Sequence, residues 1–198
     1  MSLRLSYTLL APFYDLVAGA AFAASRRGSL AALPPSGQGP VLVNGIGTGL
    51  DLPFLPRGRR YVGLDLTRAM LARCRTRAAG LEFAAVQGDS LALPFRDASF
   101  DQAILHLILA GVPDAARALA ETARVVRPGG AILIFDKFLA RGRSAPLRRL
   151  LNPLAARLVT RLDVVFEDVL QQVPGMRVVS DEPAGAGGWF RRIRLEKL

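Results

Sequence analysis

Three glycines at alternating positions follow directly on an apolar run, in Val41-Leu42-Val43-Asn44-Gly45-Ile46-Gly47-Thr48-Gly49. Glycine tolerates positive φ and has no Cβ, so Gly45 can make a tight turn while Gly47 and Gly49 let backbone lie against a ligand. That is what a nucleotide-cofactor loop needs. Sixteen residues past Gly49, the run Tyr61-Val62-Gly63-Leu64 ends in Asp65, with Leu66 after it. A carboxylate at the tip of the second strand of such a unit can accept hydrogen bonds from both hydroxyls of a ribose. A third run, Glu82 to Gln87, passes into Gly88-Asp89-Ser90, where the Asp89 side chain can accept from an adenine amino group. His106, the single histidine, ends a fourth apolar run, and Asp136 ends a fifth.

The elements that must hold these residues alternate between short apolar runs and helical periodicity. Strands are predicted near Val41 to Asn44, Arg60 to Leu64, Glu82 to Gln87, Asp101 to Leu105, Ala131 to Phe135, Arg177 to Asp181 and Trp189 to Glu196. Helices are predicted at about Ser2 to Tyr14, Phe22 to Leu33, Thr67 to Ala79, Asp114 to Val126 and Pro146 to Val173. Pro128-Gly129-Gly130 is expected to stop a helix and turn the chain into the fifth strand. The connector Pro34-Pro35-Ser36-Gly37-Gln38-Gly39-Pro40 separates N-terminal cap helices (1–36) from a cofactor-binding core (37–198). The pattern predicts one domain of doubly wound α/β class: a mostly parallel, seven-stranded, Rossmann-like sheet with helices on both faces. A dinucleotide dehydrogenase would want Gly or Ala at the last position of G-x-G-x-x-G, which here is Leu50, and would need a second domain for which no residues remain.

The glycine loop, Asp65, the stretch Gly88-Asp89 to Pro94-Phe95, Phe100-Asp101 and the turn Arg127-Pro128-Gly129-Gly130 together resemble a class I S-adenosylmethionine-dependent methyltransferase. The resemblance implies that Gly45, Ile46, Gly47 and Gly49 pack against the methionine part of S-adenosylmethionine. It places Asp65 with Leu66 at the ribose and Asp89 with Ser90 at the adenine. It departs at Asn44, where it implies an acidic residue ordering the cofactor's ammonium end, and an amide there supplies no charge. Ala11-Pro12-Phe13-Tyr14-Asp15 through Phe22, Gly47-Thr48-Gly49-Leu50 with Leu52-Pro53, and Val112-Pro113-Asp114 further resemble bacterial phospholipid N-methyltransferases acting on phosphatidylethanolamine. Similar segments occur in quinone-ring methyltransferases. By that resemblance the N-terminal helix closes over the cofactor with Tyr14 near the sulfonium, where an aromatic face would favour a cation; bracing the cap on the core is the other role open to Tyr14. An amine acceptor must be deprotonated, which makes His106 the candidate general base, against the alternative of a histidine that caps its strand. Asp136 is the alternative partner for the amine. The acceptors to weigh are therefore a phospholipid amine, a quinone or other small apolar molecule, and, with Asn44 as a mark of decayed chemistry, none at all.

The formal net charge is +10, and every cation except Lys137 and Lys197 is arginine. Such a balance favours anionic partners, although part of an arginine excess can follow from genome base composition. No acidic residue falls between Asp136 and Asp163, while Arg141, Arg143, Arg148, Arg149, Arg157 and Arg161 do. Leu147, Leu150, Leu151, Leu154, Leu158 and Leu162 recur at helical spacing, so the insertion near 140–162 predicts a basic amphipathic helix on an anionic membrane surface. The competing arrangement packs those leucines on the core, with a break at Pro153. Aromatics are not interleaved with the arginines, which argues against nucleic acid. No apolar run is long enough to span a membrane, and Asp15 before the apolar segment at 16–24 with Arg26-Arg27 after it is the reverse of a secretory signal, so a cytoplasmic location is expected, peripheral on the inner membrane face. One cysteine, Cys74, and one histidine predict no disulfide and no metal site; Cys74, among Arg73, Arg75 and Arg77, reads as a bystander thiol.

Overall fold

A computed structural model describes residues 22–34, 39–139, 163–185 and 189–198. Helix α1 covers 22–31. It is followed by β1 (Val41–Asn44), a 3₁₀ turn (Leu52–Phe54), β2 (Arg60–Asp65), α2 (Arg68–Arg77), β3 (Glu82–Gln87), β4 (Phe100–His106), α3 (Ala115–Val125), β5 (Val126–Lys137), α4 (Phe166–Gln171), β6 (Met176–Pro183) and β7 (Phe190–Lys197). The seven strands form one sheet in the order β3-β2-β1-β4-β5-β7-β6. Neighbours from β3 to β5 are parallel, and β7 runs against both β5 and β6. Strand order reverses between β1 and β4, so the carboxyl ends of those two strands flank the crevice where open α/β sheets take ligands.

Period-two alternation sorts the strand side chains onto two layers. Val41, Val43, Ile104 and Leu133 face one side, where they pack with Leu30 and Leu33 beside α1, with Leu71 and Cys74 of α2, and with Leu52 and Leu55. Leu42, Ala103, Leu105, Ile132 and Ile134 face the other, against Ala118, Leu119 and Ala123 of α3 and Phe166 and Val169 of α4. Central strands buried on both faces are why their sequences read as continuous apolar runs. The helices start where side chains supply the missing acceptors: Thr67 caps α2 by accepting from Met70 N, and Asp114 caps α3 by accepting from Arg117 N.

Two expectations change. Pro128-Gly129-Gly130 does not separate helix from strand: α3 ends at Val125, Val126 already pairs with Phe100, and the ladder shifts register before Gln102 pairs with Ala131. The glycines form a bulge within a long β5, with Gly129 at φ +73. The helix expected from Pro146 to Val173 is not continuous, because 163–165 are non-helical and α4 begins only at Phe166. Most of that helix, the basic leucine stripe included, and the helix expected at Ser2 to Tyr14 lie outside the described residues. Among the described residues no helix is long and apolar enough to cross a membrane.

Candidate active site

The loop after β1 is held from below by the backbone of β2: Gly45 N and Ile46 N both donate to Leu64 O, at 2.9 and 3.0 Å. Gly45, Gly47 and Gly49 all have positive φ, but only one of them faces space. A Cβ on Gly45 would stand 2.2 Å from Ile108 Cδ1, and one on Gly49 would press on Leu52 and Cys74, whereas a Cβ on Gly47 would meet nothing within 4 Å. Gly47 is thus the position where backbone is bare towards a ligand. Its N–H donates to Asp65 Oδ2 at 3.0 Å, and Asp65 Oδ1 accepts from Thr67 N and Oγ1. Burial pushes the Asp65 carboxyl above its ordinary value against these hydrogen bonds. Each oxygen has two lone pairs, so the carboxylate can take further donors.

On the α1 side of the sheet lies a chain of buried polar groups. Asp51 Oδ1 accepts from Arg26 Nη1 at 2.8 Å and pairs with His106 Nδ1 at 2.7 Å, while His106 Nε2 is 2.9 Å from Ser29 Oγ. The side chains of Arg26, Asp51 and His106 are 5%, 4% and 0% exposed. Burial alone would raise the Asp51 carboxyl; the charges and hydrogen bonds of His106 and Arg26 outweigh it and hold the group well below the usual carboxylate range. The His106 ring stands edge-on to Phe135, which packs with Phe22 and Phe190. The next residue, Leu107, takes φ +58, a strained conformation for a branched side chain and one that concentrates at functional sites.

A family profile described as "Methyltransferase domain" matches residues 42–134. A phosphatidylethanolamine N-methyltransferase of Cereibacter sphaeroides is 31% identical over 189 residues, covering 93% of this chain and 92% of that one. This chain is an S-adenosylmethionine-dependent methyltransferase. A ubiquinone/menaquinone biosynthesis C-methyltransferase of Paracoccus denitrificans is 41% identical over 110 residues, covering 52% of this chain and 44% of the relative. Among solved structures, a methyltransferase of Thermotoga maritima described as a possible histamine N-methyltransferase aligns over 100% of both chains with a TM-score of 0.73 at 19% identity. A geranyl diphosphate methyltransferase in complex with S-adenosylmethionine covers 89% of this chain and 85% of its own, with a TM-score of 0.73 at 17% identity.

The methyltransferase's residues fit that cofactor. The backbone at Gly47 is open, with the Asp65 carboxylate bonded to it, and that arrangement leaves room and acceptors for such a group. Asp89 is exposed at the loop after β3, with Oδ1 accepting from Leu91 N at 2.9 Å, and Leu66 is partly buried beside Asp65. Gly45 and Gly49 face packed side chains rather than open space, and Ile46 is buried in the layer below α1 and α2.

Asn44 and Ser90 take a different role from the one expected. Asn44 is 0% exposed and faces α3. Its Oδ1 accepts from Ser90 Oγ at 2.6 Å and its Nδ2 donates to Thr122 Oγ1 at 3.0 Å. The amide is sealed in the core and does not meet a ligand's ammonium; with Ser90 it ties the Asp89 loop to β1. Alternation along β1 turns Val43, not Asn44, to the face that carries the buried Asp51 carboxylate. His106 is corrected as well: both ring nitrogens are occupied, so it bridges Asp51 and Ser29 and has no nitrogen free for an acceptor's proton. Asp136 accepts from Ala110 N and Lys137 N and holds the loop after β4; burial pushes its carboxyl up. Tyr14 lies outside the described residues. Cys74 is fully buried, and burial pushes its thiol up to about 12, so it is the inert bystander expected.

Sequence reasoning missed Arg26, Ser29 and Asp51. Asp51 carried a signal, an acidic residue between Leu50 and Leu52 in an otherwise apolar stretch. Its partners lie 25 and 55 residues away, and no spacing rule joins them.

Proposed function

We propose that this methyltransferase methylates the amine of a phosphatidylethanolamine-type head group at an anionic membrane surface on the cytoplasmic side. The observation that carries the reading is the match to the Cereibacter sphaeroides enzyme over nearly all of both chains. When bound, S-adenosylmethionine supplies a methyl already activated on a sulfonium, so the protein's task is alignment and exclusion of water. The loop at Gly47 and the carboxylate of Asp65 bind, the Asn44–Ser90 bond orients the Asp89 loop, and the Arg26–Asp51–His106–Ser29 chain fixes the floor between α1 and β4. The amine must arrive with its lone pair free. In this reading the basic leucine stripe within 140–162 docks the enzyme, each arginine adding about 1 kcal/mol against anionic lipid.

A quinone acceptor is the second reading, favoured by the higher identity of the Paracoccus denitrificans relative over the shared part of the chain. Transfer of a labelled methyl to vesicles of phosphatidylethanolamine with phosphatidylglycerol, run beside demethylated menaquinone in the same vesicles, separates the two. Label in the phospholipid is the expected result, and label in the quinone alone overturns the proposal. Changing Arg148, Arg149, Arg157 and Arg161 together to Gln should abolish flotation with the vesicles.

A further inference from the structure

A cavity of about 290 Å³ lies between α1 and strands β5, β7 and β6, lined by Ser29, Ser180, Glu182, Arg192 and Arg194 among others. Register explains why these side chains converge: on β7, Arg192 pairs with Phe135 and Glu182, and Arg194 with Leu133 and Ser180, so all lie on the α1 face. Arg192 Nη2 donates to Glu182 Oε2 at 2.8 Å, which compensates its charge. Its other terminal nitrogen lies 2.0 Å from where a Cβ on Gly28 would stand, so a side chain at 28 would displace the guanidinium from its place under α1. Arg194 makes no ion pair or hydrogen bond among the described residues, and its Nε, like that of Arg192, is sealed from solvent without an acceptor. Among the described residues one arginine charge in the cavity is therefore uncompensated, and two sealed N–H groups have no hydrogen-bond partner. A sealed polar group without a partner costs stability and calls for an explanation. Arg194 as a whole is only half-buried, so its two terminal nitrogens are the donors a ligand in the cavity can reach, and they form a fork that matches two oxygens of a phosphate or carboxylate.

We propose that this cavity is an oxyanion site that takes the phosphodiester of the acceptor's head group, with Arg194 as its anchor and the hydroxyls of Ser180 and Ser29 as neighbours; the assignment to a head group rests on the phospholipid reading above. Ser29 is also the end of the His106–Asp51 chain, so the site adjoins the floor of the cofactor crevice. A phosphate held by Arg194 would leave the ethanolamine arm free to extend along α1 towards that crevice.

The test is calorimetry on the full chain with glycerophosphoethanolamine, inorganic phosphate and ethanolamine as probes. Glycerophosphoethanolamine should bind, phosphate should bind and compete with it, and ethanolamine should not bind. Arg194→Gln should weaken glycerophosphoethanolamine by at least about tenfold, the size of one charge-assisted hydrogen bond. Arg194→Lys, which keeps charge but loses the fork, should fall between, and S-adenosylmethionine affinity should hold in both. Unchanged glycerophosphoethanolamine affinity in Arg194→Gln, or in Arg194→Lys and Ser180→Ala if that variant does not fold, overturns the site. Phosphate that binds without competing overturns the head-group assignment. A protein that binds as expected yet methylates no phospholipid sinks the proposed function and leaves the site standing; methylation with KM unchanged in Arg194→Gln does the reverse.

Discussion

Replacing Asp51 by Asn removes one charge from the floor of the site and almost nothing else. The two side chains are of equal size, and the Asn oxygen can still accept from Arg26 Nη1 and His106 Nδ1, which now reach a single carboxylate oxygen at 2.8 and 2.7 Å. What is lost is the counter-charge of Arg26, whose side chain is 5% exposed and whose Nε already lacks a partner. Breaking a buried pair by neutralising one member costs about 3 to 5 kcal/mol, because it leaves the other charge desolvated. For a chain of this size each kcal/mol moves the midpoint by roughly 2 to 4 °C, so Asp51→Asn should lower Tm by about 6 to 20 °C. Thermal unfolding followed by circular dichroism reads this directly. Arg26→Met removes the stranded charge, so the double variant should be less destabilised than the sum of the singles, with a coupling of at least about 1 kcal/mol. The depressed carboxyl makes the same point through pH. Asp51 contributes stability above its ordinary value of 3.8 and loses it as pH falls below that value towards the folded one, so the acid limb of the wild-type stability curve should flatten in Asp51→Asn. An Asp51→Asn Tm within about 2 °C of wild type, or strict additivity with Arg26→Met, would refute the claim that this pair is a buried, stabilising unit.

Asp65→Ala should weaken S-adenosylmethionine by about 1.5 to 3 kcal/mol through lost charge-assisted hydrogen bonds, measured by calorimetry, with NAD failing to bind either protein. Because burial raises the Asp65 carboxyl and the ionised form is the better acceptor, wild-type affinity should fall with decreasing pH, starting above the ordinary 3.8; affinity that is flat down to about pH 4 contradicts this. Gly47→Ala puts a Cβ at φ +57 into the open side of the loop, so it should cost only about 1 to 2 kcal/mol of stability while reducing cofactor affinity far more; equal small losses would mean the open side is not where the ligand lies. Asn44→Glu buries a carboxylate between Ser90 and Thr122 and should lower stability by several kcal/mol in a denaturant titration; tighter cofactor binding in that variant would restore the ligand role set aside here.

Elements whose information is local were legible in the sequence. The glycine loop, the terminal Asp65 and the capped starts of α2 and α3 follow from backbone conformation and from hydrogen bonds over at most four residues. The parallel, two-sided character of the sheet followed from continuous apolar runs in its central strands, whereas the strand order is information only the structure carries. What failed depended on direction or on distance in the chain. Asn44 was set at the cofactor's ammonium end by the family resemblance, but a strand residue beside a loop has two faces open to it, and this side chain turns to α3. His106 was placed at the right end of β4, but its freedom to act as a base depended on Ser29, from a helix 77 residues earlier. The bulge at Gly129 looked like a turn because glycine and proline punctuate both.

Alternation along β1 also explains why the loop is braced from two sides. Asn44 points to the α3 face, where its amide joins Ser90 of the third-strand loop to Thr122, and Thr122 Oγ1 donates onward to Ala118 O at 2.8 Å. On the other face, across the same strand tip, Asp51 joins Arg26 of α1 to His106 of β4, and His106 in turn meets Ser29 of α1. Two separate buried networks therefore converge on the base of one glycine loop, and each spans elements far apart in the chain. A loop whose glycines would otherwise be free to move is fixed by this, so its backbone can meet a cofactor without paying to order itself at that moment. The two networks are also independent: the α3 network holds the Asp89 loop against β1, and the α1 network holds α1 against β4. Under the head-group site proposed above, acceptor preference varies through α1 and the β6–β7 edge, where Arg192 and Arg194 lie, without disturbing the network around Asn44.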